Sequence, residues 1–131
     1  MRQRDRSALR TGLIATLGAA IFAAAAIGAA PAARAASAAA GHALALQYCV
    51  KCHGVDGKGD GPAVAAEHLS PPPGDWTDKE DMAEHPDVFL RNIIEQGGQA
   101  MDKSAQMPAF GKKLTPAQVN DLIAYIRTFS R

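Results

Sequence analysis

Cys49-Val50-Lys51-Cys52-His53 contains both cysteines of this 131-residue chain. The two thiols lie three positions apart, and a histidine follows the second one directly. Cysteines this close in sequence cannot form the disulfide framework that holds many small secreted domains together. The next nine residues, 54–62, include four glycines and end in Gly61-Pro62, which predicts a loop.

This C-x-x-C-H spacing is the signature of covalent haem c attachment. Two thiols on one turn can each add across one vinyl group of a haem, and the adjacent histidine then lies below the iron. We therefore predict one haem c, attached through Cys49 and Cys52, with His53 coordinating the iron through an imidazole nitrogen. Covalent attachment suits a domain that is too small to enclose its cofactor completely.

Three other uses of the two cysteines are less well supported. A thioredoxin-like dithiol belongs to a βαβ unit, and no strand can be identified in the sequence. A structural zinc site needs four protein ligands, and the remaining histidines, His42, His68 and His85, repeat no ligand spacing. A disulfide between the two cysteines would be strained and would leave the adjacent histidine unexplained.

Residues 1–35 are predicted to be a secretory signal peptide. Four arginines stand against one acidic residue in the first ten positions, and residues 13–30 are uncharged and apolar. Ala33-Arg34-Ala35 then provides a small-residue cleavage site, which predicts a mature start at Ala36. A second site, Ala36-Ser37-Ala38, would move that start by a few residues. An uncleaved membrane anchor is the alternative, because about 18 apolar residues can span a bilayer.

The charge of the chain changes when this segment is removed. The full chain has a formal net charge of +1, whereas residues 36–131 contain 9 Lys and Arg against 12 Asp and Glu, a net charge of −3. A mildly acidic domain lacks the strong basic face of a general nucleic-acid binder, so no nucleic-acid partner is expected. The 96 residues that remain form one small domain with a limited core, to which a large apolar cofactor would add.

The sequence after residue 40 predicts short helices separated by loops, and therefore an all-α domain. Residues 41–50 are compatible with a helix, although their pattern alone also fits a strand. Residues 63–69 have room for about two helical turns. Pro71-Pro72-Pro73-Gly74 excludes a helix, because proline lacks an amide donor and restricts the residue before it.

Two amphipathic helices are predicted in the second half of the chain. One begins at Pro86 and ends at Gly97-Gly98 with a left-handed cap. The other begins at the capping box Thr115-Pro116-Ala117-Gln118. Apolar residues recur at helical spacing in both, namely Phe89, Leu90, Ile93 and Ile94, then Val119, Leu122, Ile123 and Ile126. The intervening loop, residues 99–114, is long for a small domain, which is typical of a functional segment.

A second axial ligand has to come from elsewhere in the chain. The candidates are Met82, Met101, Met107, His42, His68 and His85. Met107 lies in the long loop before the last helix, and the proline that follows it stiffens the loop, so the thioether can be held with few free torsions. On these grounds Met107 is only modestly favoured over Met101, because any methionine can also fill a core.

Residues 41–131 resemble a class I cytochrome c of the small bacterial periplasmic type. Residues 49–62 resemble the haem-binding segment of that family, Met107-Pro108-Ala109-Phe110-Gly111 its distal-ligand loop, and Leu122-Ile123-Ala124-Tyr125-Ile126 its C-terminal helix. Gly41 matches the small residue at which the first and last helices of that fold cross. The resemblance implies a class I cytochrome c fold, with short helices wrapped around one covalently attached haem.

The resemblance also implies roles for individual residues. It makes Cys49 and Cys52 the thioether positions, His53 the proximal ligand and Met107 the distal ligand. The carbonyl of Pro62 would accept a hydrogen bond from the other imidazole nitrogen, which fixes the orientation of the ring. Trp76 either packs on the haem or bonds a propionate, or it is a core aromatic whose N–H is satisfied.

A haem with both axial positions filled by protein has no vacancy for a substrate, so we predict electron transfer rather than enzymatic catalysis. The chain is then a periplasmic one-electron carrier that meets redox proteins through small, transient interfaces. It touches a membrane only if the signal segment is retained. One alternative is a haem subunit or dedicated partner of a specific periplasmic oxidoreductase. Another is a ligand-binding or catalytic haem protein in which Met107 is labile.

Overall fold

The computed structural model describes residues 34–131 of the chain. This range contains six α-helices and one short 3₁₀ helix. In chain order they are α1 (Ala38–Tyr48), α2 (Val50–His53), α3 (Pro62–Ala66), α4 (Lys79–Glu84), α5 (Asp87–Gln96), the 3₁₀ helix Gln99–Met101 and α6 (Pro116–Ile126). This range contains no strand, which confirms the all-α prediction. None of its helices is long and apolar enough to cross a membrane. The predicted signal peptide lies outside the described residues except for Arg34 and Ala35.

Helices α1 and α6 cross closely at Gly41. A Cβ atom at this position would lie 1.9 Å from the backbone oxygen of Asp121 and 2.8 Å from the Cβ atom of Tyr125. Since only glycine allows two helix backbones to approach so closely, the predicted small residue at the crossing is confirmed. One turn further along α1, Ala45 is fully buried.

The core lies between α1, α5 and α6. The buried apolar residues of α5 and α6 are Leu90, Ile94, Val119, Leu122, Ile123 and Ile126, and all six belong to the apolar faces predicted from helical spacing. Trp76, Met82 and Leu114 complete this cluster from α4 and the connecting segments. Phe89 and Ile93, from the same predicted face of α5, are only partly buried, and both line the cavity described below.

The ends of the two amphipathic helices follow the sequence closely, with two corrections. The capping box of α6 is present, since Gln118 N donates to Thr115 Oγ1 at 3.3 Å and Thr115 N donates to Gln118 Oε1 at 2.8 Å. Pro86 is the N-cap of α5 rather than its first helical residue. Gly97 ends α5 with a φ of +83°, but its ψ of 166° is extended rather than left-handed helical, because the following chain turns back along the loop around Met107.

Three short helices differ from the predicted pattern. The helix predicted over residues 41–50 ends at Tyr48, and Val50–His53 of the motif form the separate one-turn helix α2. The helix predicted over residues 63–69 ends at Ala66. Helix α4 was not predicted, although Asp78 caps it by accepting a hydrogen bond from Asp81 N at 3.0 Å. An N-cap aspartate followed by acidic residues in the first turn is a recognisable helix start.

Candidate cofactor site

A cavity of about 330 Å³ opens between α2, the proline-rich segment, α4, α5 and the loop before α6. Its walls are mostly apolar and include Leu90, Ile94, Phe110, Leu122 and Ile126, together with Pro71, Pro72 and Pro73. The few polar or charged residues on the wall include Asp81, Lys103 and Ser104. A concave site with an apolar lining and few polar groups is typical of cofactor binding.

The C-x-x-C-H motif forms one side of this cavity. Cys49 ends α1 and is also the N-cap of α2, and its carbonyl accepts hydrogen bonds from the backbone N–H groups of Cys52 at 3.1 Å and His53 at 2.9 Å. This single turn brings both thiols and the imidazole to the cavity wall. Both cysteines, the only two in the chain, are partly buried free thiols. The spacing therefore produces the local arrangement that was expected of it.

Burial shifts the pKa values of Cys49 and His53 in the directions that favour their neutral forms. The pKa of the Cys49 thiol is raised to about 11, mainly by burial and further by the neighbouring Cys52. The pKa of His53 is lowered to about 4, because burial disfavours the imidazolium; an interaction with the backbone of Gly74 acts in the opposite direction. A neutral imidazole keeps one nitrogen lone pair free, which is the form that binds a metal ion.

The Nδ1 atom of His53 is buried and has no hydrogen-bond partner within residues 34–131. A buried polar atom without a partner is costly, and it fits a side chain whose partner is a bound group. The predicted hydrogen bond to the carbonyl of Pro62 is not formed in this structure and stays a prediction. Pro62 is the exposed first residue of α3.

Trp76 lies directly against His53. The centroids of the two rings are 4.5 Å apart and their planes differ by 19°. Trp76 is only 7% exposed, and its backbone N–H donates to the carbonyl of Gly57 at 2.7 Å. Trp76 is thus a buried wall of the cavity next to the proposed proximal ligand, and both roles considered for it stay predictions.

The candidates for the second axial ligand separate into two groups. Met82, His85 and Met107 line the cavity, whereas Met101, His42 and His68 do not. Met82 is 4% exposed and packed in the core. The Nδ1 atom of His85 lies 2.8 Å from the carbonyl oxygen of Asp81, one turn back along α4. Of the two methionines on the cavity wall, Met107 is the one that is only partly buried and lies in a loop.

Backbone hydrogen bonds hold the loop around Met107 to the end of α5. Gly98 N donates to the carbonyl of Met107 at 3.0 Å, and Phe110 N donates to that of Ile94 at 2.9 Å. A Cβ atom on Gly98 would lie 2.1 Å from the carbonyl oxygen of Ser104, so glycine is required for this close approach. The long loop is thus an ordered wall of the cavity.

Comparison with known proteins agrees with this geometry. A family model described as cytochrome c matches residues 38–130. The chain belongs to the cytochrome c family. The solved structure of the KustC0563 c-type cytochrome is similar to this cytochrome, with 34% sequence identity, a TM-score of 0.55, and coverage of 70% of this chain and 98% of that chain. Among curated proteins, none matches it.

Family membership confirms the predicted class I c-type cytochrome and its all-α fold. It also implies a covalently bound haem c and haem-based electron transfer, a function that is generally non-enzymatic. The site of this cytochrome fits that group: two free thiols and a neutral imidazole with an unpaired nitrogen lie on one turn, at the wall of a mostly apolar cavity.

The contacts that hold α4 of this cytochrome beside the cavity were not predicted from the sequence. Arg127, directly after α6, donates from Nε to the carboxylate of Asp87 at 2.8 Å and from Nη1 to the carbonyl of Met82 at 3.0 Å. Its guanidinium group also donates to the carbonyl of His85. No local signal reveals this role of Arg127, because its partners lie 40 to 45 positions earlier in the chain.

Proposed function

We propose that this cytochrome is an exported one-electron carrier whose single haem c is attached through Cys49 and Cys52 and coordinated by His53 and Met107. The observation that carries the proposal is that all four of these side chains line one mostly apolar cavity. The first three come from a single turn, and the fourth comes from a loop that backbone hydrogen bonds hold in place.

When bound, a haem c supplies reversible one-electron exchange between ferric and ferrous iron. The residues of the chain determine how that exchange takes place. The thiols of Cys49 and Cys52 would tie the group to α2, and His53 would present the neutral imidazole that its lowered pKa maintains. The thioether of Met107 is a ligand that favours a comparatively high reduction potential.

The other residues of the cavity wall exclude water from the proposed haem site and hold its ligands in position. Apolar side chains from α5 and α6 exclude water, while Trp76 packs against one face of His53. If His53 and Met107 both bind the iron, no position would be left for a substrate. The arrangement therefore favours electron exchange at an exposed edge of the haem over binding of a substrate to the iron.

The proposed export agrees with the same function. Cytochromes of the c type are typically exported, and residues 1–35 have the composition of a signal peptide. We propose a periplasmic location for the mature cytochrome. Its partners would be redox proteins that dock through small, transient interfaces, with local charges near the cavity mouth, such as Lys103 and Asp81, affecting how the partners orient.

The visible spectrum of the exported protein tests this proposal, in both oxidation states and with and without carbon monoxide. We expect a low-spin ferric spectrum with the weak far-red band of thioether ligation, and a ferrous spectrum that carbon monoxide leaves unchanged. Rapid carbon monoxide binding would overturn His/Met ligation and favour a ligand-binding or catalytic protein. Absence of haem from a properly matured preparation would overturn the whole proposal.

Covalent attachment has a separate test in Cys52→Ala. Removing one thioether should leave one vinyl group of the haem unreacted and shift the visible band of the pyridine haemochrome to a longer wavelength, whereas the unmodified chain should show the band of a haem with two thioethers. Ser104→Ala is a suitable control, because Ser104 also lines the cavity but provides no attachment atom. The same band in both variants would contradict the role of Cys52.

A further inference from the structure

Asp121 is a buried carboxylate that the cofactor site does not use. It lies on α6 with 1% of its surface exposed, and it is the one charged residue that is fully buried within residues 34–131. Its Oδ1 atom accepts a hydrogen bond from Ser37 N at 2.7 Å, and its Oδ2 atom pairs with the guanidinium group of Arg34. Asp121 therefore connects α6 to the segment that leads into α1.

The surroundings of Asp121 require a positive group at this point. A buried carboxylate that loses its cationic partner destabilises the folded state strongly. The positive end of α1 supplies part of the compensation, because this helix has no acidic residue in its own first turn and begins beside Asp121. Ser37 caps α1 by accepting a hydrogen bond from Ala40 N at 3.3 Å. The remaining full charge is that of Arg34.

The proposed export removes that charge. Hydrolysis of the Ala35–Ala36 peptide bond by a signal peptidase adds one water, leaves a carboxylate on Ala35 and creates an α-ammonium group on Ala36. Arg34 departs with the leader, and the new cation appears on the residue directly before Ser37. Since consecutive residues are about 3.8 Å apart, the new ammonium group lies within reach of the carboxylate that Ser37 N already contacts.

We propose that Asp121 is a binding site for the processed N-terminus, in which the α-ammonium group of Ala36 replaces the guanidinium group of Arg34 on Oδ2. The inference rests on the proposed export of the protein. It selects one mature start, because cleavage after Ala38 would remove Ser37, which caps α1 and donates to Oδ1. A start before Arg34 would leave the guanidinium group in place and give the new amine no role.

The charges around this site are few. The small cleft beside Asp121 is lined by Arg34, Asp121 and neutral residues of α1 and α6. On the same two helices, His42 of α1 and Tyr125 of α6 form a tilted ring pair with centroids 5.0 Å apart. Removal of the leader therefore leaves the new α-ammonium group as the cation placed to compensate Asp121.

The intact mass and N-terminal sequence of the exported haem protein provide the first test. We expect the chain to begin at Ala36. A start at Ala39, a start that retains Arg34, or an uncleaved chain would each overturn the inference. The same sample yields the visible spectrum, so a wrong start with an intact His/Met spectrum would overturn this inference and leave electron transfer standing.

The reactivity of the α-amine provides the second test. An amine that is paired with a carboxylate is more basic, and a pKa higher by one unit leaves about one tenth as much free amine at neutral pH. We expect the α-amine of the mature holoprotein to be acetylated by acetic anhydride about ten times more slowly than that of Asp121→Asn. The exposed Glu84→Gln should react at the unmodified rate.

A synthetic peptide of residues 36–41 keeps the test usable if Asp121→Asn does not fold. The α-amine of this peptide has no carboxylate partner, so it should react about ten times faster than that of the mature holoprotein. A holoprotein whose α-amine reacts as fast as that of the peptide would overturn the inference, because a purely structural Asp121 would leave the amine unperturbed.

Discussion

The indole of Trp76 and the imidazole of His53 are stacked, with ring centroids 4.5 Å apart and an angle of 19° between their planes. Phe129, near the C-terminus, also contacts the indole, with ring centroids 5.8 Å apart. The hydrogen bond from Trp76 N to the carbonyl of Gly57 ties the tryptophan to the loop after the haem-attachment motif. The orientation of the proposed proximal ligand thus depends on segments that are distant in sequence.

Replacing Trp76 should therefore affect stability according to how much of the stack is kept. Trp76→Leu should lower the free energy of unfolding of the holoprotein by about 2 kcal/mol, because it removes a buried aromatic surface. Trp76→Phe should cost less, since a ring still faces His53. Guanidinium unfolding followed at the haem absorbance measures both. Equal losses in the two variants would show that ring stacking on His53 contributes nothing.

Methionine variants should distinguish the axial ligand from its neighbours. Met107→Ala should lower the reduction potential and open the ferrous iron to carbon monoxide, because the thioether would be lost. Met101→Ala should do neither, since Met101 does not line the cavity. Met82→Ala should destabilise the protein by about 2 to 5 kcal/mol through loss of buried volume, with an unchanged haem spectrum. Carbon monoxide binding in the Met82 variant but not in the Met107 variant would reverse the assignment.

Two glycine variants test the close crossing of α1 and α6. Gly41→Ala should destabilise the protein by about 3 kcal/mol or prevent folding, because its Cβ atom would meet the backbone of Asp121. Gly74→Ala is the matched control, since a Cβ atom there has no neighbour within 4 Å. It should change the free energy of unfolding by less than about 1 kcal/mol, or raise it slightly. Thermal unfolding of the two holoproteins measures the difference.

Arg127 should contribute more to stability than its ion pair suggests. Arg127→Ala would leave the carbonyl of His85 without its donor and that of Met82 with only the 3.4 Å hydrogen bond from His85 N, which should cost about 2 kcal/mol. Asp87→Asn removes only the partner at an exposed carboxylate and should cost less than about 1 kcal/mol. Chemical unfolding checks both values. Similar costs for the two variants would mean that the ion pair, and not the carbonyl contacts, holds α4 in place.

Local sequence patterns were sufficient to predict several parts of this protein. The capping box at Thr115 and the apolar faces of α5 and α6 follow from interactions between residues three and four positions apart, which any helix brings together. The turn that presents Cys49, Cys52 and His53 is equally local. Helix α4 was missed because only its cap at Asp78, and no long apolar pattern, marks it. Its packing depends on Arg127, far along the chain.

The sequence by itself determined the cofactor class and the helical composition, because both depend on residue types at short, fixed spacings. The tertiary structure alone decided that Met107, and not Met101, lines the cavity. It alone placed Trp76 on His53 and buried Asp121 beside the start of α1. These relationships join residues from separate elements, and their distances arise only when burial of apolar surface packs those elements together.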